Sequence, residues 1–588
     1  MNYFQACATF LLVASTAVAY PQNHGFVHRE VNKEVLKASY DYVIVGGGQS
    51  GLVVANRLSE DPEMSVLVVE YGFFNNNPAQ LDPASVRNGP RANVYNLSSV
   101  PQPGLNGRTQ VVYGAAVVGG GSTINGMFLN RGAAREYDDW GRLNNASSWS
   151  WNGRLPYFVK SSLSQHPAPE LAAEFNITWN DTAFGNGPIH QRFAPYQWPG
   201  LKLQWKGFTE LGIQPTLDGS DGHGYGLFWV KSSIDLPTVT RSNKRVTGIR
   251  MQERGSTGDE AVLEVKADVE TILCAGALHS PQVLQRSGIG PPSILNGAGI
   301  DVLVDLPGAG ANFQDHPDVL LEFNFTRNWA EHRSGPYSQA TGNTAALLPL
   351  KLVSPDGTAS IVKEYLSQDS SAHLPSLYTT EQIAGYEAQR ALLAEALSAE
   401  DNAISEFPFT GSSSYYLYLV KVLSRGTIYL NQSDRYAEPI LDYRSFSNPL
   451  DEVLMRQILE FARRYHKDSE IVQTAFAPVE AFPGANVTGA DLDFYIRNTT
   501  TSTTGHMSGT CSMMSRHLGG VVDADLLVYG VTGLSVADAS IMPSVPGAHT
   551  CATVYAVAGK VRFECPLNYL LIKAAAYHVM DEISEECT

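Results

Sequence analysis

Basic residues are scarce in this chain of 588 residues. There are 41 Lys and Arg against 58 Asp and Glu, a formal charge of -17 at pH 7. Such a balance repels a phosphate backbone, so nucleic acid is not an expected partner. Long apolar runs are also lacking, because the uncharged stretch over residues 6–19 is too short to span a bilayer. We therefore expect no membrane anchor.

Cysteine is scarce too. Of six cysteines, Cys7 lies in the N-terminal apolar stretch, and the other five are scattered. That number and spacing argue against a disulfide scaffold and against a Cys-x-x-Cys metal site, so we predict no metal. One bridge, between Cys565 and Cys587, is compatible with the sequence.

The N-terminus has the pattern of a secreted protein. Residues 1–19 end in Ala17-Val18-Ala19, a small-x-small pattern typical of signal peptides, although the first five residues carry no Lys or Arg. Residues 20–39 are polar and are interpreted as a pro-segment or linker. Eight Asn-x-Ser/Thr acceptors add support for a secreted glycoprotein, at Asn96, Asn145, Asn176, Asn180, Asn324, Asn431, Asn486 and Asn498.

What the chain does contain begins with a nucleotide-binding pattern. A β-branched run leads directly into Gly46-Gly47-Gly48-Gln49-Ser50-Gly51, then an apolar stretch with helical spacing, then a second apolar run that ends at Glu70. In a β-turn-α-β unit, Gly46 allows the tight turn, Gly48 lets the backbone approach a pyrophosphate, and Gly51 allows close packing. Glu70 can accept hydrogen bonds from ribose hydroxyls. The pattern predicts a dinucleotide site.

Four later segments, taken together, resemble the glucose-methanol-choline oxidoreductases, a family of FAD enzymes. Residues 119–127 read Gly-Gly-Gly-Ser-Thr-Ile-Asn-Gly-Met and are similar to its first signature, and residues 276–290 resemble the second. Residues 307–317, which contain Asp315-His316-Pro317, and residues 506–513 resemble further family segments. With the nucleotide-binding pattern, the resemblance runs in family order to about Lys560.

The resemblance implies an α/β fold, α+β overall, with a Rossmann-like FAD-binding domain and a second, sheet-plus-helix substrate-binding domain. Apolar residues make up 44% of the chain, enough for two or three cores. We assign residues 40–154, 236–320 and 506–588 to the FAD-binding domain and residues 155–235 and 321–505 to the substrate domain.

The same resemblance implies which residues hold the cofactor. For the ADP half of FAD these are Gly46, Gly48, Gly51 and Glu70; for the remainder they are Ser122, Asn125, Gly126, Met127, Phe128, Asp538 and Ala539. No His occupies residues 122–124, near which some relatives attach flavin covalently. We therefore expect non-covalent FAD.

Two histidines resemble the active-site pair of the family. His506 precedes a Gly-Thr-Cys run, and His549 follows Pro546-Gly547-Ala548. An unperturbed imidazole titrates at about pH 6.5, so His506 is predicted to take the alcohol proton as general base while hydride passes to flavin N5. His549 is predicted to hydrogen-bond the same oxygen. His316 is interpreted as a hydrogen-bonded turn residue.

The expected reaction is oxidation of a small-molecule alcohol to a carbonyl, with electrons passed to O2 or a quinone-like acceptor. Two alternatives stay open: a non-redox flavoprotein resembling hydroxynitrile lyases or cyclases, and a degenerate, non-catalytic member. The second arises because residues 238–249 nearly fuse two segments that relatives separate by a strand near the adenine. A specialised-metabolite intermediate, a sugar and an aryl alcohol are all open as substrate.

Overall fold

The computed structural model describes residues 36–73, 94–95, 97–195, 197–233, 249–252, 262–327, 344–409 and 411–561. The predicted signal segment, most of the predicted pro-segment, nearly all of the fused run over residues 238–249 and the predicted Cys565–Cys587 bridge lie outside these residues. Within the described ranges, no helix combines the length and the apolar character needed to cross a bilayer.

The first sheet is mainly parallel and brings together strands that are far apart in the sequence. It contains β1 (Ser39–Val45), β2 (Val66–Val69), β10 (Ile249–Gln252), β11 (Val262–Leu273) and β21 (Leu534–Val536). The order is β10-β11-β1-β2, β21 pairs parallel with β11, and β10 is antiparallel. The β-branched run seen in the sequence forms β1, where Val43 and Ile44 are fully buried.

Helices share one apolar core with this sheet, as is usual for parallel strands. They include α1 (Gln49–Leu58), α2 (Ala134–Asn144), α3 (Trp151–Ser161), α6 (Gly276–Arg286) and α14 (Cys551–Lys560). Helix α14 packs against both α1 and α3. It is buried along its whole length, which matches its run of small and apolar residues.

The second large sheet has six strands and, between neighbours, antiparallel pairing. It contains β8 (Gly226–Trp229), β14 (Asp318–Phe325), β15 (Thr344–Pro349), β16 (Ala403–Phe409), β17 (Ser414–Leu419) and β20 (Pro478–Phe482), in the order β20-β14-β17-β16-β15-β8. One face packs against α11 (Leu450–Asp468) in a large apolar core that includes Leu321, Leu417 and Phe407.

The remaining elements are short strands and further helices. The strands are β3 (Leu97–Ser98), β4 (Val111–Val112), β5 (Phe128–Leu129), β6 (Ser162–Gln165), β7 (Ile189–Phe193), β9 (Lys231–Ser232), β12 (Ile289–Gly290), β13 (Val304–Asp305), β18 (Thr427–Tyr429) and β19 (Ile440–Asp442). The helices are α4 (Pro169–Phe175), α5 (Leu201–Glu210), α7 (Pro292–Gly297), α8 (Leu350–Val353), α9 (Thr358–Ser367), α10 (Thr380–Ser398), α12 (Glu470–Phe476) and α13 (Gly489–Thr499).

Candidate active site

The glycines after β1 are required by the packing of the turn. Gly46 has φ +109°, and a Cβ there would lie 2.4 Å from the carbonyl oxygen of Cys274. A Cβ on Gly51 would lie 1.9 Å from the carbonyl oxygen of Gly46. No side chain fits at either position, so both glycines serve the strand-to-helix turn itself.

Gly48 is different, because it faces a second glycine-rich loop. Its backbone is extended, with φ −81°, and a Cβ there would meet only the Cα of Gly120, at 3.7 Å. Gly119 donates its N–H to the carbonyl of Gly47 at 2.8 Å, which holds the two loops together. The loops thus form a side-chain-free cradle at the start of α1, which fits a pyrophosphate approached by backbone N–H groups.

Glu70 stands at the end of β2 beside this cradle. Its Oε2 accepts the N–H of Gly47 at 2.6 Å, and its Oε1 accepts the N–H of Gly72 at 2.8 Å. Burial raises the pKa of this carboxyl group, an effect that the two backbone donors oppose. A carboxylate offers about four acceptor positions, so two remain for the hydroxyls of a ribose.

The first signature supplies a turn next to the cradle, and a short strand follows it directly. Ser122 lies in the 3-10 turn Gly120–Thr123 and donates to the carbonyl of Gly119. The Asn125 side chain donates to the thiol of Cys551 at 3.4 Å and accepts the N–H of Met127 at 2.9 Å, across Gly126. Met127 has φ +62°, and Phe128 begins β5.

The side chain of Asp538 is fully engaged with the protein. It is 1% exposed, and its Oδ2 accepts the N–H of Gly276 at 2.8 Å and the hydroxyl of Ser280 at 2.5 Å. Its Oδ1 accepts the N–H of Ser540. Asp538 therefore ties the start of α6 to the loop that contains Ala539. A contact of this pair with the cofactor remains a prediction and would use the backbone.

The structure brings His506 and His549 together. Their ring centroids are 4.7 Å apart and the rings are nearly perpendicular, at 76°. His549 stacks on Phe128 with centroids 4.0 Å apart, so the late histidine contacts the residue that directly follows the first signature. The main-chain N–H of His549 is held by the side-chain oxygen of Asn130 at 3.0 Å.

Each imidazole has one nitrogen already in use. The Nε2 of His549 lies 3.0 Å from the buried carboxyl group of Glu406, on β16. The Nδ1 of His506 lies 2.9 Å from the hydroxyl of Thr504 and 3.0 Å from the Nδ1 of His316. Burial, and then the neighbouring His549 and His316, lower the pKa of His506 well below its usual value, so its ring is neutral at pH 7.

His316 and Glu406 are the site residues that the sequence reasoning missed. The sequence predicts a hydrogen-bonded turn residue at His316, and in the structure its ring also contacts His506 directly. Glu406 could have been noticed, because it is a charged residue in the otherwise apolar strand Ala403–Phe409 and is 1% exposed. Nothing near His316 in the sequence indicates that its ring lies beside His506.

A buried ion pair ties the loop of His549 to helix α2 and to the end of β17. The Nζ of Lys421, just beyond β17, contacts Oε1 of Glu136 on α2, and the two side chains are 5% and 7% exposed. The same carboxylate accepts the N–H of Gly547 at 2.9 Å and that of Ala133 at 2.8 Å. Glu136 and Lys421 therefore fix the position of the segment that leads into His549.

A nucleotide cradle together with paired imidazoles fits the class of dinucleotide-dependent oxidoreductases. Residues 40–234 and 234–318 match the N-terminal profile of the GMC oxidoreductases, and residues 422–558 match the C-terminal profile. The chain belongs to the GMC oxidoreductase family. The predicted family and fold class are thereby confirmed.

Individual relatives agree with this assignment. The dehydrogenase xptC of Emericella nidulans is 33% identical, over 90% of this chain and 93% of its own length. An FAD-dependent oxidoreductase from Chaetomium thermophilum superposes with a TM-score of 0.83 at 33% identity, covering 89% of this chain and 98% of that one. A fungal aryl-alcohol oxidase gives a TM-score of 0.82 at 33% identity, with 90% and 98% covered. The protein is an FAD-dependent oxidoreductase acting on alcohol-type groups, and FAD is its cofactor.

Proposed function

We propose that this protein oxidises a primary or secondary alcohol to a carbonyl with His506 as general base. The observation that carries the proposal is the juxtaposition of two imidazoles, with centroids 4.7 Å apart and rings nearly perpendicular, beside Phe128, which directly follows the first signature. A proton acceptor and a second hydrogen-bonding group on one oxygen are what alcohol oxidation requires.

The surroundings of His506 support its role as the base. Its Nδ1 is occupied by Thr504 and His316, so Nε2 is the nitrogen left for the substrate. Because burial keeps the pKa of the ring low, the lone pair needed to accept the alcohol proton is present throughout the neutral range. Proton transfer to this nitrogen leaves the electron pair of the O–H bond on oxygen, where it forms the carbonyl.

His549 is proposed to orient the same oxygen. Since its Nε2 faces Glu406, Nδ1 is the nitrogen that remains for the substrate. The carboxyl group of Glu406 also places a negative charge beside the two imidazoles. This charge stabilises the positive charge that forms when the alcohol proton is transferred to His506. Stacking on Phe128 limits rotation of the ring and so preserves this direction.

The cofactor residues are proposed as predicted from the sequence, with Gly48 and the facing loop at the pyrophosphate and Glu70 at the ribose. When bound, FAD supplies the two-electron chemistry that receives the hydride of the carbinol carbon. We propose that FAD is held without a covalent link. One relative is named a dehydrogenase and another an oxidase, so we propose either O2 or a quinone-like compound as the electron acceptor.

Secretion is proposed on the N-terminal pattern and on the glycosylation acceptors. The acceptor asparagines that fall within the described residues are all at least partly exposed, as glycan attachment requires: Asn145, Asn176, Asn180, Asn324, Asn431, Asn486 and Asn498. A specialised-metabolite intermediate is one of the substrates that stay open, and it would give the protein a role in specialised metabolism. Release of the expressed protein into the medium, with a mass that falls on deglycosylation, tests this part.

The catalytic proposal is tested by anaerobic mixing of the yellow protein with a panel of alcohols. We expect bleaching of the flavin by at least one alcohol, and turnover when O2 or a quinone is added. His506→Ala should lower the rate of bleaching by about 10²–10⁴-fold, whereas His166→Ala, at an exposed position, should not. An unchanged oxidised spectrum with every alcohol would favour a non-redox reaction, and bleaching by His506→Ala at the normal rate would refute the base.

A further inference from the structure

His316 contacts the proposed base but has no part in the reaction described above. Its Nδ1 and the Nδ1 of His506 are 3.0 Å apart, and the rings meet edge to face at 80°. The two residues are 1% and 8% exposed. At this distance two neutral imidazoles share one proton, so one ring donates and the other accepts.

The main chain enforces this contact. Gln314 and Ser508 exchange a pair of backbone hydrogen bonds, of 3.1 and 2.9 Å. One oxygen of Asp315 accepts both the N–H of His316, at 2.8 Å, and the N–H of His506, at 3.0 Å. Both rings therefore project from neighbouring backbone segments that are bonded to each other and to the carboxylate of Asp315.

His316 is held in its neutral form. Burial, together with the charges of Lys421 and His549, lowers its pKa to about 3. A neutral imidazole with a free Nδ1 lone pair can accept a hydrogen bond, which an imidazolium cannot. The charged and titratable groups around this cluster are Asp315, Glu136, Lys421, Glu406 and His549.

We propose that His316 is a positioning residue that accepts the Nδ1–H of His506 and so keeps the Nε2 of His506 unprotonated. The inference rests on the role of His506 proposed above. During the reaction the alcohol O–H bond breaks and an N–H bond forms at Nε2, while the Nδ1 proton stays on His506. His316 neither gains nor loses a proton. In the opposite arrangement His316 would donate, Nε2 of His506 would already carry a proton, and the base would be blocked.

Two substitutions separate this role from simple packing. His316→Ala removes the acceptor, whereas His316→Asn can place an amide oxygen where Nδ1 stood. We expect kcat/KM of His316→Ala to fall by about 10- to 100-fold, mainly through kcat, and His316→Asn to recover most of the loss. The loss is smaller than that of removing the base, because Thr504 offers a second acceptor for the same proton.

His466 provides a matched control. It is 2% exposed, burial likewise lowers its pKa to about 3, and its Nε2, like that of His316, is buried with no hydrogen-bond partner among the described residues. It lies in the core of the second large sheet, stacked on Phe323 at 3.8 Å. His466→Ala should lower the melting temperature but leave kcat/KM and its pH profile unchanged.

The tautomer itself is read from the 15N shifts of labelled histidine, with the His506 signals assigned by their absence in His506→Gln. We expect a protonated Nδ1 and an unprotonated Nε2 in the wild type and in His316→Asn, and a mixture in His316→Ala. A protonated Nε2 in the wild type, or an unchanged tautomer and kcat/KM in His316→Ala, would overturn the proposal. If His506→Ala is also fully active, it is the function proposed for His506 that fails.

Discussion

Two neighbouring glycines of the nucleotide loop are expected to respond oppositely to the same substitution. In the protein without FAD, Gly48→Ala adds a methyl group 3.7 Å from its nearest neighbour, at a φ of −81° that alanine adopts readily. Reduced freedom of the unfolded chain then favours the variant by about 0.4–1 kcal/mol. The melting temperature of the apoprotein should stay the same or rise slightly.

Gly51→Ala should destabilise the apoprotein itself. The added methyl group would lie 1.9 Å from the carbonyl oxygen of Gly46, so the start of α1 must move by more than 1 Å from β1. Overpacking of this kind costs about 1–3 kcal/mol and occasionally more. We expect the upper end of that range, because the obstacle is backbone and cannot rotate away.

FAD binding should be weakened in Gly48→Ala although the fold is intact. The methyl group would occupy the cradle between the two glycine loops and keep the pyrophosphate from the backbone donors. Losing one or two hydrogen bonds to a charged group, at about 1.5–3 kcal/mol each, lowers affinity by about 10- to 10⁴-fold.

The assay pairs thermal unfolding of the apoprotein with titration of FAD followed by flavin fluorescence. Gly559→Ala is the control, because its added Cβ would have no neighbour closer than 4.0 Å and it lies within α14, where alanine is favoured over glycine. It should bind FAD normally. Wild-type FAD affinity in Gly48→Ala would refute the assignment of this cradle to the pyrophosphate.

Three further predictions concern buried ionisable groups. Lys421→Met should cost about 3–5 kcal/mol by leaving Glu136 unpaired, and Glu136→Gln in the same chain should restore most of it, as measured by chemical unfolding. The imidazole of His466 binds a proton below about pH 6.5 in the unfolded chain but only near pH 3 in the folded protein. The free energy of unfolding therefore decreases as the pH falls from 6.5 towards 3. His466→Phe removes this loss, so the variant should be more stable than wild type by about 3 kcal/mol at pH 4 and similar to it at pH 8. Glu406→Gln should lower kcat by about 10-fold or more while FAD content stays constant, because the charge beside His549 is lost; an unchanged kcat would exclude an electrostatic role.

Local constraints explain what could be predicted from the sequence. The turn after β1 was predictable because any side chain at Gly46 or Gly51 would clash with nearby backbone, and the spacing of these glycines is visible in a short stretch of sequence. The family resemblance then placed His506 and His549 in one site without any knowledge of distance.

The contacts that complete the site are non-local, which is why sequence reasoning missed them. His316 reaches His506 only through the pairing of Gln314 with Ser508, nearly two hundred residues later. Glu406 meets His549 because β16 lies in the interior of an antiparallel sheet whose register no short pattern specifies. The contacts of the Asp538 side chain with Gly276 and Ser280 at the start of α6 also join residues that are far apart in the sequence, so no local pattern predicts them.

The shared carboxylate of Asp315 has a consequence for how this site can change. Since one oxygen anchors the main chain of both His316 and His506, a replacement at Asp315 displaces the two rings together. Substitutions at these three positions should consequently combine non-additively, and selection acting on any one of them constrains the others. His506, its neighbour His316 and Asp315 are therefore expected to change together rather than one at a time.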